Sequence, residues 1–277
     1  MIEFLAAPFE FGFMQRALVG GVLVAAICAL VGTYVVLRGL AFVGDALAHA
    51  AFPGVVIAYL LKGNIYLGAT VFAVATALGI GLVSRRGRVS YDTAIGILFA
   101  GAFALGVLLM STIQGYTVDL FSFLFGNVLG MSRRDLLLVG LLGALVVLIV
   151  VLLYKELLLM SFDPIVAEAM GYPVQALNYL LLGLIALTIV ISIQAVGIIL
   201  VVALLVTPSA TAYLVTDRFF RMMLLGILLA VLAAVIGLYL SYYLNVASGA
   251  AIVLVSTCLF FLVLASLRFR AAATSRA

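Results

Sequence analysis

The sequence predicts an all-α fold, a polytopic membrane bundle of about nine spanning helices, with eight and ten as the bounds. Three observations carry that reading. Of 277 residues, 68% are hydrophobic and 9% charged, with a mean hydropathy of +1.44; a soluble domain is roughly half apolar and a quarter charged. Apolar runs of roughly 20 residues, the length a helix needs to cross the hydrocarbon layer, recur along the chain. None shows the alternation over about ten residues that a membrane strand requires. The runs fill 1–277 as one transmembrane domain and leave no stretch for a soluble one.

Residues 1–15 are acidic and aromatic and are expected at the interface. Glu3 and Glu10, without a basic leader, argue against a cleavable signal peptide. Spans are then expected at 17–37, 42–61, 65–84, 93–112, 135–154, 174–194, 197–216, 222–243 and 248–267. The mixed piece at 113–131, with Gln114, Asp119 and Asn127, reads as re-entrant or partly spanning, because lipid does not tolerate such residues at depth. Small residues at Gly96, Ala100 and Ala104, and at Gly44 and Ala48, form helix faces suited to close packing. Asp92 reads as an N-cap, and Cys28 and Cys258 as inert core thiols.

The net charge of +4 is scattered between apolar runs, which excludes a nucleic-acid surface and marks topology instead. With nine spans and the C-terminus inside, Arg38, Arg85, Arg86, Arg88, Lys155, Arg218, Arg221, Arg268, Arg270 and Arg276 face the cytoplasm. Arg16, Lys62, Arg133 and Arg134 face out. The positive-inside rule selects this orientation over its inverse.

Gly39 to Gly54, GLAFVGDALAHAAFPG, places Asp45 and His49, the only histidine, four residues apart. On a helix they share one face, about 6 Å apart along the axis. A charge at mid-membrane costs at least about 2.5–3.5 kcal/mol, so an ionisable residue there is a functional candidate by default. Chemistry alone leaves three readings open: contact with a metal ion, a structural hydrogen-bonded pair, and a proton relay. Pro53 and Gly54 are expected to break the helix just beyond the pair, and Pro208 to interrupt the seventh span. Gln194, at the outer turn between two spans, is a candidate for an outer gate.

In Ser161 to Pro173, SFDPIVAEAMGYP, Asp163 suits an N-cap, Pro164 the first helical position and Gly171 the C-terminal stop. A two-turn helix capped at both ends is expected on the basic side, able to dock on a soluble partner.

The segments VVLRGLAFVGDALAHAAFPG at 35–54, DTAIGILFA at 92–100, LFGNVLG at 124–130, SFDPIVAEAMGYP at 161–173 and QAVGIILVVALLVTPSATAYLV at 194–215 resemble, in order, permeases of the ATP-binding-cassette metal-uptake family. The resemblance implies a homodimeric subunit in the cell's inner (plasma) membrane. It also implies two cytoplasmic ATP-binding subunits and an extracytoplasmic metal-binding protein as partners. Asp45 and His49 match the family's metal-contacting pair. Asp163, Pro164, Glu168 and Gly171 fall in its coupling helix. The cargo is a divalent metal ion, manganese favoured, zinc or iron(II) the alternatives, and no cofactor stays bound. No Gly-x-x-x-x-Gly-Lys-Ser/Thr segment occurs, so ATP hydrolysis is expected on a partner and the chain is read as a transporter subunit, not an enzyme. One carboxylate and one imidazole are too few for closed zinc coordination, which takes four ligands. The alternative is a proton-coupled secondary carrier of a divalent cation, with Asp45 and His49 titrating. An intramembrane hydrolase is a weaker third reading, since Gly-x-Ser-x-Gly is absent.

Overall fold

The computed structural model describes residues 10–84, 89–112 and 128–274, with the side chains of Gln194 and of residues 270–274 outside the description. Among the described residues the regular structure is helical: α1 (Gly12–Leu37), α2 (Ala41–Ala50), α3 (Phe52–Leu60), α4 (Ile65–Ser84), α5 (Tyr91–Ser111), α6 (Arg133–Leu152), α7 (Tyr154–Phe162), α8 (Pro164–Ala169), α9 (Val174–Val196), α10 (Ile198–Val215), α11 (Phe219–Leu244) and α12 (Ser248–Thr274). A one-turn 3₁₀ segment covers Val128–Gly130. With α2 and α3 counted together, nine helical stretches among these residues are long and apolar enough to cross a bilayer, and their limits fall within a few residues of the expected spans.

Helix α1 is the hub. It is apolar all round, as a helix surrounded by others must be, and it packs on α6, α9, α10 and α11. Gly32 lets α10 approach: a Cβ there would lie 1.8 Å from the Leu205 carbonyl oxygen. Ser209 of α10 donates to the Ala29 carbonyl at 3.0 Å, fastening the same contact. α1 ends in a Schellman turn. Gly39, at φ +66°, lets its own N–H reach Val36 O and the Leu40 N–H reach Val35 O. The chain then reverses directly into α2.

The expected break in the second span is shallow. It falls at Ala51, which keeps right-handed helical angles, and the Ala51 N–H to Leu47 O and Val55 N–H to Ala51 O bonds cross it. Pro53 occupies the first turn of α3, where it breaks little. Gly54 serves contact rather than interruption: a Cβ on it would lie 2.1 Å from the Gly68 carbonyl oxygen of α4. Pro208, by contrast, does not interrupt its span. α10 runs unbroken through it, and the residue is buried. The cap of α5 is Ser90, whose Oγ accepts the Thr93 N–H at 3.2 Å, and Asp92 sits in the first turn instead. Cys28 is buried, 3.5 Å from Ser192, but Cys258 is exposed rather than part of the core.

Tyr91, at the start of α5, accepts a hydrogen bond from Asn178 near the start of α9. Tyr66, at the start of α4, donates to Asp135 at the start of α6. α5 therefore ends, and α6 begins, at the same end of the bundle. Residues 112–132 link two points on one face, which keeps the number of crossings odd. Gln114, Asp119 and Asn127 themselves lie outside the described residues.

One element has no counterpart in the sequence reading. α7 follows α6 after the single residue Leu153 and turns Leu157 and Met160 inward. A single residue, Asp163, then separates it from α8.

Because Gly54 and Gly68 meet backbone to backbone, Gly54→Ala is expected to destabilise the purified chain by about 1–3 kcal/mol, the usual cost of overpacking. This would be read as a fall in Tm in detergent. Gly96→Ala, with open space around its position, is expected to leave Tm unchanged. Equal Tm values for the two variants would contradict the contact.

Candidate functional site

α2 begins at Ala41, so Asp45 lies about 6 Å and His49 about 12 Å into the span at 1.5 Å per residue. Asp45 is therefore near the end of the bundle that carries α8, while His49 lies close to the middle of the 20-residue span. His49 Nε2 stands 3.6 Å from Asp45 Oδ1. That is an ion-pair distance, too long for a hydrogen bond, and the described hydrogen bonds include none to either side chain. The two groups point the same way with lone pairs unspent, an arrangement suited to holding a cation between them.

Three contacts set where the pair points. On one side Gly44 sits against α10, where a Cβ would meet Leu205 at 2.9 Å. On another, α5 docks through Gly106, where a Cβ would meet Phe52 at 2.6 Å and the Pro53 nitrogen at 3.1 Å. Phe103 and Phe99, one and two turns before Gly106, then fall on the same face of α5. Their ring centroids lie 5.4 Å and 5.6 Å from that of His49. The imidazole side chain is thus walled in, 22% exposed, while the Asp45 side chain stays 50% exposed. Phe42, one turn before Asp45, is exposed too. The carboxylate opens outward from this single chain.

Among the described residues no group of three or more His, Cys, Asp or Glu side chains could hold a metal ion. The pair is half of a site at most. Pro53 has no N–H to give the His49 carbonyl, toward which the Ala51 N–H is directed instead. Gln194 falls in the last turn of α9, just before Gly197, a glycine-dependent corner at φ +86°. Its side chain lies outside the described residues, and with it the gate expectation.

At the same end of the bundle, Asp163 caps α8 by accepting the Ile165 and Val166 N–H groups, both at 3.0 Å. Pro164 opens the helix. Gly171, at φ +86°, closes it with a second Schellman turn, its N–H on Glu168 O and the Tyr172 N–H on Ala167 O. Ala167 alone is buried. Ile165 (79% exposed), Val166 and Met170 (64%) stand out beside Glu168, a mixed apolar and acidic surface on a rigid two-turn helix.

The phenylalanine wall and Gly106 escaped the sequence reading. The signal was present as 99, 103 and 106 at helical spacing, but in a run this apolar nothing distinguishes a residue facing the site from one facing lipid.

The model of the ABC 3 transport family matches residues 10–267. The manganese transport system membrane protein MntC of Halalkalibacterium halodurans is 49% identical over 91% of this chain and 87% of its own. A probable iron transport system membrane protein of Haemophilus influenzae is 39% identical over 98% and 99%. Among solved structures, PsaBC from Streptococcus pneumoniae in complex with Fab superposes with a TM-score of 0.84 at 38% identity, covering 95% of each chain. With the family model spanning nearly every described helix, the chain belongs to the ABC 3 transport family, as a multi-pass membrane permease subunit.

Proposed function

We propose that the chain is the membrane subunit of an ATP-driven importer of a divalent transition metal, manganese first, zinc or iron(II) next. It would work in the inner (plasma) membrane. The observation that carries the proposal is the Asp45–His49 pair: two ligand-type side chains, not hydrogen-bonded to each other, on a face that is half open to the outside of the subunit. An isologous homodimer would bring a second pair to the first, giving four protein ligands of the oxygen and nitrogen types that suit Mn²⁺. Coordination assembled this way is weak and open, as an ion in transit needs. The names of the relatives favour manganese, with iron also represented. Family membership does not favour the proton-coupled carrier.

α8 is the element suited to meet a cytoplasmic ATP-binding subunit, because its outer face is exposed and both its ends are locked. An extracytoplasmic metal-binding protein would deliver the ion at the opposite end, near Gln194. The metal is cargo, and no resident cofactor is required.

Asp45→Asn and His49→Ala are each expected to cut Mn²⁺ uptake by cells or proteoliposomes about tenfold or more, the scale on which metal sites respond to altered surroundings. Zn²⁺ and Fe²⁺ should be compared in the same assay. Unchanged uptake of all three ions in both variants would refute the site assignment.

Gly171→Val forces a β-branched residue into a left-handed turn, at about 1–2 kcal/mol. It is expected to reduce transport, and the ATPase activity of the assembled complex, while the Tm of the isolated chain moves little. A variant with full transport would exclude α8 as the coupling element.

A further inference from the structure

Arg38 closes α1 at the end of the bundle that carries α8, and its side chain turns under the start of α9. Nη1 donates to Asn178 Oδ1 at 2.6 Å, and Asn178 Nδ2 donates to the Tyr91 hydroxyl at 2.7 Å. Neither partner carries a negative charge. Among the described residues the one ion-pair contact is His49–Asp45, so the Arg38 guanidinium has no carboxylate against it. Burial pushes the Arg38 guanidinium below its usual value, as expected of a charge whose surroundings compensate it only in part.

Beside Arg38 lies a cavity of about 200 Å³, lined by Ser84, Tyr91, Gln175, Asn178 and Tyr179 together with Gly81 and Val174. Val174 and Gln175 are the first two residues of α9, a helix of 23 residues that starts after Pro173 with no side chain capping it. The Val174 N–H is bonded to the Tyr172 carbonyl at 2.9 Å, and the rest of the first turn, with the positive end of the helix dipole, borders the cavity without a side-chain cap. A half-buried guanidinium, a helix start without a side-chain cap, the Gln175 amide and the Tyr91 hydroxyl around one small space form a site for an oxyanion. Arg38 follows directly on the last residue of a span, so the cavity lies at the depth of the membrane edge.

We propose that this cavity binds the phosphate group of an anionic ligand, supplied by a phospholipid headgroup or by free phosphate. The bound group would supply the counter-charge that Arg38 lacks and the acceptor that the start of α9 lacks. In doing so it would tie together the ends of α1, α4, α5 and α9. The site is separate from the Asp45–His49 pair and stands whether or not the transport reading does.

The test uses the full chain purified in detergent. Native mass spectrometry measures retention of added phosphatidylglycerol against phosphatidylcholine, and thermal shift measures the effect of inorganic phosphate. Gln175→Glu places a carboxylate in the cavity at an exposed position of the first turn, so folding is spared. It should cut the preferred retention, or the phosphate-induced shift, about tenfold or more, the equivalent of losing one or two charge-assisted hydrogen bonds. Arg38→Gln should do the same. Lys155→Gln, which removes a charge at the same end but outside the cavity, should change neither signal.

Retention of phosphatidylglycerol that depends on position 175, without a phosphate shift, identifies a lipid. A phosphate shift with the same dependence identifies the free ion. Wild-type and Gln175→Glu chains behaving alike in both measurements would overturn the proposal.

Discussion

The arrangement depends on backbone meeting backbone at a few glycines. In lipid there is no water to squeeze out between helices, so association rests on close contact and on hydrogen bonds across the interface. Gly32 against the Leu205 carbonyl fixes α10 on α1, and Gly54 against Gly68 fixes α3 on α4. Gly106 against Phe52 and Pro53 fixes α5 across the junction of α2 and α3. Each removes a side chain from a place where any other would hold the helices apart. Together they determine the roll of α2 about its axis, and so the direction in which Asp45 and His49 point.

The two ends of the bundle are built differently. At the α8 end the turns are locked by left-handed glycines, Gly39 and Gly171, each closing a full Schellman motif. At the opposite end a capping box at Ser132 and Asp135, joined by the Tyr66 hydroxyl, holds the starts of α4 and α6 together. Arg16 adds a bond to the Met131 carbonyl at 3.1 Å. The turn at Gly39 takes α1 directly into α2 without a linker.

Much of this could be read from the sequence, because membrane spans announce themselves by length and apolarity. The caps of α8 were legible for the same kind of reason: Asp163, Pro164 and Gly171 each have a narrow conformational use. Of the prolines, Pro53 does stand at a division of its span, but Pro208 misled. Pro208 is as strong a helix breaker by propensity as any residue, yet α10 runs straight through it, packed on its neighbours. In a bundle the surrounding contacts can outweigh one missing hydrogen bond. α7 was invisible because its apolar residues continue those of α6 without a polar boundary. The phenylalanine wall was invisible because facing direction, not composition, defines it.

α6, α7 and α8 are joined through Leu153 and Asp163, one residue at each junction. Each such junction has only two soft dihedral angles. α7 is seated on the interior: Tyr154, tilted, and Phe162, edge-on, both pack against Phe219, whose ring centroid in turn lies 4.9 Å from that of the buried Tyr34 in α1. Under the proposed coupling role, a push on α8 would act like a crank. It would reach the central helix through packed rings and one-residue joints rather than through a slack tether.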